Sequence, residues 1–197
     1  MPAVLVGIPV KPCPVAKRRL SAVLDDAARA VLGRRLAERT VGAVTASGAR
    51  PLVLSADDAV TDWARSIGVE VLVDVGSSLD QAAASAVAEI RGRRSSWAIL
   101  HADLPVLMWR DLGAAVELLG AGGAVLAPSS DGGTPLIGSS LDGFDFSYGP
   151  GSFHRHLARL ARHGPHVVFR RGLALDLDTP DDLAAASGSD DGAWLSG

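Results

Sequence analysis

Asp176 and Asp178 stand one residue apart in the stretch LALDLDTPDD, residues 173–182. In an extended chain residues i and i+2 face the same side, so the two carboxylates would repel unless something positive lay between them. A divalent metal is one such partner. The plain alternative is that Asp178 caps the next helix while Asp176 is merely solvated. Asp103, in HADLP, is a further carboxylate just beyond an apolar run. Of 19 basic residues only Lys11 and Lys17 are lysines, six positions apart in one loop of an otherwise arginine-rich chain. A compact ammonium reaching a phosphate as a point charge is one task arginine does not duplicate. YGPGSFHRH (148–156) sets two glycines around a proline ahead of Ser152, with Arg155 and His156 in the first turn that follows. Such a turn can aim backbone N–H groups at an anion at a helix start, or it can be an ordinary capped turn. DGGTP (131–135) carries the same ambiguity. Asp103 and Asp178, with Asp176 nearby, could hold Mg²⁺ through oxygen ligands, while the lysines meet a triphosphate tail.

These groups need a scaffold that brings distant loops together. The pattern predicts strands at 3–10, 51–55, 69–74, 97–101 and 124–130, alternating with helices at 26–46, 57–68, 77–92 and 109–123. Beyond them come DGGTPLIG, the glycine-rich turn with its helix, strands HVVF (166–169) and LALDL (173–177), and a helix opened by Thr179-Pro180. Alternating strands and helices imply parallel pairing in a doubly wound sheet. Ligands then bind beyond the carboxyl ends of the strands, where the loop of Lys11 and Lys17, Asp103, the DGGTP turn and the Asp176–Asp178 segment are expected to fall. His101 reads as structural, and His163 and His166 as surface residues. Neither a Ser-His-Asp spacing nor a G-x-G-x-x-G fingerprint is present. One domain is expected over 1–187, with a loosely ordered tail over 188–197.

The bulk composition excludes several classes. A net charge of -3 leaves no footprint for nucleic acid or an anionic membrane. The single cysteine excludes an internal disulfide and a cysteine zinc site. With no long apolar run and only a short one at the N-terminus, a cytoplasmic location is expected.

VKPCPVAKRRL (10–20), ADLP (102–105), GGT (132–134), FSYGPGSFHRH (146–156) and LDLDTPDDL (175–183) together resemble the 2-phospho-L-lactate or phosphoenolpyruvate guanylyltransferases of coenzyme F420 biosynthesis, over Val4 to about Ala186. The resemblance implies a single-domain α/β fold, a Rossmann-like (GT-A type) nucleotidyltransferase with a mostly parallel, doubly wound sheet. The implied reaction joins the guanylyl group of GTP to the phosphate of a three-carbon phospho-acid and releases diphosphate. Carried over by position, Asp103, Asp176 and Asp178 are metal ligands for Mg²⁺, and Lys17 is a phosphate-binding and catalytic residue beside Asp103 and Asp178. Lys11, Lys17, Arg19 and Asp80 bind the nucleotide, and Thr134, Gly149, Gly151 and Ser152 cradle the small substrate. The expected ligands are GTP and the phospho-acid, with a downstream enzyme of coenzyme F420 biosynthesis as the protein partner the resemblance admits. Ser130, Pro135 and Asp80 depart from the family pattern and leave base and acceptor choice open. The acceptor is phosphoenolpyruvate, 2-phospho-L-lactate or 3-phosphoglycerate. The rival readings are the same fold with a molybdopterin or sugar-phosphate acceptor, and a non-catalytic nucleotide-binding protein.

Overall fold

The computed structural model describes residues 3–11, 17–73 and 78–196. Within them, seven strands form one sheet: β1 (Val4–Pro9), β2 (Arg50–Leu54), β3 (Glu70–Leu72), β4 (Ser96–Leu100), β5 (Val125–Ala127), β6 (Leu136–Ser139) and β7 (His166–Val167). Their order is β3-β2-β1-β4-β6-β5-β7. β1 runs parallel to β2 and β4, β2 to β3, and β5 to β7, whereas β6 is antiparallel to both of its neighbours. The helices are α1 (Asp26–Ala46), α2 (Asp58–Ser66), α3 (Leu79–Gly92), α4 (Trp109–Gly120), α5 (Ser152–Leu160), α6 (Arg171–Ala174) and α7 (Pro180–Ser187).

β1 is apolar on both faces because the sheet is covered on both. Val4, Val6 and Ile8 pack with Val41 and Val44 of α1 and Leu112 and Leu119 of α4. Leu5 points the other way, into a core with Ala83, Ala86 and Ile90 of α3. Gly7 has no side chain for a physical reason: a Cβ there would sit 3.0 Å from Ile99 and 3.3 Å from Ala86. Helix starts follow local capping chemistry. Asp25 accepts the Ala28 N–H at 2.7 Å, Asp57 that of Val60 at 3.0 Å, and Ser78 that of Gln81 at 3.3 Å.

Three features differ from the sequence-based expectation. PLIGS, left irregular, is the antiparallel strand β6. It enters the sheet so tightly that a Cβ on Gly138 would lie 2.6 Å from the Trp97 carbonyl. LALDL is not a sheet strand: 171–174 form α6, and the backbone beyond pairs with loops, Leu177 N–H donating to Asp103 O (3.0 Å) and Ser130 N–H to Ala174 O (2.8 Å). The alternation survives without the sheet, since Leu177 is fully buried and Asp176 and Asp178 on either side are not. The tail is ordered by packing. Asp190–Ser196 form a 3-10 helix in which Trp194 Nε1 donates to Pro105 O (2.9 Å) beneath the Arg39 guanidinium, 4.9 Å from the ring. Among the described residues no helix is long and apolar enough to cross a membrane.

Candidate active site

In the strand order, β1 lies between β2 and β4, so the chain leaves β1 toward one side of the sheet and returns on the other. Ligand crevices form at such a reversal, beyond the carboxyl ends of the strands. Lys17 follows β1 and Asp103 follows β4, and they meet there. Lys17 Nζ donates to Asp103 Oδ2 at 2.9 Å and to Asp178 Oδ1 at 3.0 Å. The lysine side chain is only 7% exposed, against 30% for Asp103 and 48% for Asp178.

Each partner is held by its own element. Lys17 sits at φ 64°, at the entry to the 3-10 turn Arg18–Ala22, where Leu20 N–H bonds its carbonyl. Asp103 extends from β4, whose last residues are fully buried, and its own carbonyl takes the Leu177 N–H. Asp178 is set by the start of α7. Asp182 Oδ2 accepts the N–H of Asp178 (3.0 Å) and of Thr179 (2.8 Å), Thr179 caps the helix in return, and Pro180 occupies its first position. Asp178 is therefore freed from capping, because Asp182 and Thr179 do that work.

Burial works against the Lys17 charge, but Asp103 and Asp178 outweigh it and raise its pKa. Burial would likewise raise Asp103, yet Lys17 and His101 outweigh that and hold its carboxyl below the usual range. The two groups are thus an ion pair at neutral pH. Asp176 behaves differently. Burial, with the negative charges of Asp131, Asp103 and Asp178, pushes it up to about 6.

Lys17, Asp103 and Asp178 line a cavity of about 340 Å³ together with Lys11, His101, Leu79 and the end of β1. Arg19 is exposed on its 3-10 turn and does not line this cavity. Asp80 is also outside it, accepting the Tyr148 N–H at 2.8 Å. Its charge is committed to the glycine-rich loop. Thr134 and Ser152 are buried, their hydroxyl oxygens 3.0 Å apart, so they join the two glycine turns to each other. Phe153 N–H donates to Gly132 O (3.2 Å), and the Cα of Gly151 lies 4.0 Å from where a Cβ on Gly132 would stand. Gly149 and Gly151 adopt φ 104° and 70°, the left-handed region that favours glycine. His101 connects cavity and loops: it lines the former, and its ring lies 5.3 Å from that of Tyr148. The centre of the VKPCPVAKRRL stretch, residues 12–16, falls outside the described residues.

Among the described residues no ready-made cluster of three or more His, Cys, Asp or Glu side chains stands poised for a metal ion. Asp103 and Asp178 are joined through Lys17, and Asp176, within electrostatic reach of both, does not line the cavity. The pair nevertheless fits a hard divalent cation. Asp103 Oδ1 is buried with no hydrogen-bond partner, the kind of orphan oxygen that an ion satisfies. Mg²⁺ is commonly held by one or two carboxylates plus substrate phosphates and waters. The sequence reading placed His156 in the first turn after the glycines and Asp182 in the first turn after Thr179-Pro180 but gave neither a specific partner, since a buried histidine on an apolar helix face carries no distinctive spacing.

Residues 4–190 match the family described as Guanylyl transferase CofC like. The chain belongs to that family. It is 36% identical to phosphoenolpyruvate guanylyltransferase of Rubrobacter xylanophilus over 197 residues, covering 95% of each chain. It is 28% identical to 2-phospho-L-lactate guanylyltransferase of Methanothermobacter thermautotrophicus, covering 89% of this chain and 80% of that one. A Methanothermobacter thermautotrophicus nucleotidyl transferase structure shares the fold at TM-score 0.65 and 16% identity, covering 93% of this chain and 95% of that one. A Desulfovibrio desulfuricans protein described as a nucleotide-diphospho-sugar transferase does so at TM-score 0.75 and 18% identity, covering 98% and 93%. The CofC-like family is one of nucleotidyltransferases, and the sheet found here is their Rossmann-like fold.

Proposed function

We propose that this protein transfers the guanylyl group of GTP to the phosphate of a three-carbon phospho-acid, phosphoenolpyruvate foremost, releasing diphosphate in the cytoplasm as a step toward coenzyme F420. The observation that carries this reading is the Lys17–Asp103–Asp178 constellation on a cavity at the sheet's reversal point, in a chain of the CofC-like family. The phosphoenolpyruvate relative at 36% identity favours that acceptor over 2-phospho-L-lactate.

A phosphate monoester is anionic near neutral pH, so the acceptor attacks the α-phosphorus without a strong general base. The residues contribute positioning and charge. The Lys17 ammonium, kept charged by its aspartates, supplies positive charge to the triphosphate, and Lys11 at the rim adds to it. Asp103 and Asp178 are the groups that would hold Mg²⁺, which when bound neutralises phosphate charge and orients the reacting oxygens. The paired glycine turns at 131–134 and 147–152 receive the phospho-acid.

Asp178→Asn tests the assignment. Its second oxygen and charge are lost while the Asp182 cap that sets its backbone is kept. Turnover should fall at least ~10²-fold, the scale for removing one preorganised electrostatic group. Near-normal turnover would refute the role given to Asp178.

A further inference from the structure

Arg155 and His156, neighbours in the first turn of α5, both grip the loop that precedes the helix. The Arg155 guanidinium collects four successive carbonyls. Nε and Nη2 donate to Ser147 O at 3.2 and 2.9 Å, Nη2 reaches Tyr148 O and Gly149 O at 3.4 Å each, and Nη1 donates to Pro150 O at 2.7 Å. His156 takes Ser147 from the other end, its Nε2 accepting the Ser147 N–H at 2.9 Å. In a neutral ring the proton must then sit on Nδ1, which donates to Thr134 Oγ1 at 3.0 Å. Thr134 in turn lies 3.0 Å from Ser152 Oγ.

The geometry of the peptide bond gives this clamp a consequence. C=O and N–H of a trans peptide point in opposite directions. Turning the carbonyls of Ser147, Tyr148 and Pro150 toward Arg155 therefore turns the N–H groups of Tyr148, Gly149 and Gly151 away from it. Asp80 accepts the first of these. Those of Gly149 and Gly151 have no hydrogen-bond partner among the described residues. Carbonyl oxygens do not neutralise a guanidinium, so a full positive charge stays behind the loop. Two free donors over a fixed cation suit an anion of the phosphate or carboxylate type.

We propose that Arg155 and His156 are positioning residues that hold the 147–151 loop in the shape that directs the Gly149 and Gly151 amides at the anionic group of the small acceptor. The proposal rests on the reading of that acceptor as a phospho-acid. Arg155 is thereby a clamp on the loop rather than a direct ligand of the anion. His156 is suited to its part because it stays neutral. It is fully buried among Phe144, Phe146 and Tyr148, whose rings lie 5.6, 6.1 and 5.0 Å away. Burial pulls its pKa down to about 4; Arg159, Arg155 and His101 act in the same direction, and Asp80 opposes them.

Two measurements test the clamp. In the first, wild type, Arg155→Lys and Arg155→Ala are compared in diphosphate release with GTP and phosphoenolpyruvate. A lysine keeps the charge but cannot fork across four carbonyls. The expected result is a KM for phosphoenolpyruvate at least 10-fold higher in both variants, a KM for GTP within 2-fold of wild type, and restoration of Arg155→Ala by millimolar guanidinium ion. An unchanged phosphoenolpyruvate KM, or both KM values rising together, would overturn the proposal. The second needs no substrate: nitrogen-15 NMR of the free protein should show His156 as the Nδ1–H tautomer from pH 8 to 5. An Nε2–H ring, or titration near pH 6.5, would overturn the clamp. If wild type turns over none of the phospho-acids while His156 keeps the Nδ1–H form, the substrate reading fails and the clamp stands.

Discussion

Lys17→Met removes the one positive charge seen between two carboxylates, and its effects on activity and on metal affinity should run in opposite directions. In the free protein Lys17 Nζ lies 2.9 Å from Asp103 and 3.0 Å from Asp178. The three groups together carry one net negative charge, and the variant carries two. Coulomb's law at an effective dielectric of about 20 gives about 4 kcal/mol between unit charges about 4 Å apart. Asp178 is 48% exposed, so solvent and salt weaken its share several-fold. A conservative remainder of about 1.4 kcal/mol for an incoming divalent ion is tenfold in affinity. The same substitution leaves Asp103 without its partner. Breaking a fully buried pair costs about 3–5 kcal/mol, and partial exposure brings the expected loss of stability to about 1–3 kcal/mol. Catalysis should drop at least ~10²-fold because the triphosphate loses its fixed cation. The assay is Mn²⁺ titration of nucleotide-free protein by electron paramagnetic resonance, with urea unfolding and diphosphate release run on the same samples. Mn²⁺ binding at least tenfold tighter, in a protein that is less stable and nearly inactive, is the expected pattern. Unchanged or weaker Mn²⁺ binding would refute the view that Lys17 stands between the metal-holding carboxylates.

Acid stability should report His156. Its folded pKa of about 4 lies below the ordinary value of 6.5, so the unfolded chain binds more protons between those limits and stability rises with pH there. The contribution is complete above about pH 6.5 and is lost toward pH 4, at up to about 1.4 kcal/mol per pH unit. Urea unfolding of wild type and His156→Gln should therefore converge as the pH falls, and parallel curves would contradict a neutral buried ring. Gly151→Ala places a Cβ on a residue at φ 70°, 3.5 Å from Arg155 Nη1, at a strain of about 1–2 kcal/mol. Steady-state kinetics should show a raised phospho-acid KM, and an unchanged KM would show that the left-handed turn is not needed. Trp194→Ala removes a ring bonded to Pro105 and covered by Arg39. A loss of about 2 kcal/mol, or about 4–8 °C in melting temperature, is expected. An unchanged melting temperature would mean the C-terminal 3-10 helix does not dock.

The parallel half of the sheet was legible because β1, β2 and β4 are largely apolar runs and the segments between the strands carry helical patterns with capping residues. β6 was not, because Gly138, which its crowded place beside Trp97 requires, breaks the strand signature. LALDL reads as a strand by composition, yet its hydrogen bonds go to the Asp103 and Ser130 loops. Lys17 and Asp103 could be named from sequence because each follows an apolar strand, β1 or β4, at the carboxyl edge of the parallel sheet, whereas Asp178 was named from its spacing to Asp176 and its segment is not a sheet strand. The function of Asp80 could not, since its bond to Tyr148 joins residues 68 apart. The same holds for the polar tail: Trp194 docks against Pro105, 89 residues away, through contacts that no local pattern encodes.

The account stands or falls on diphosphate release from GTP and Mg²⁺ with phosphoenolpyruvate, 2-phospho-L-lactate and 3-phosphoglycerate offered in separate reactions, and ATP and CTP as controls. Release that requires GTP together with phosphoenolpyruvate, with little from ATP or CTP, is the predicted result. Release with none of the three acids, from protein that binds GTP, would contradict it.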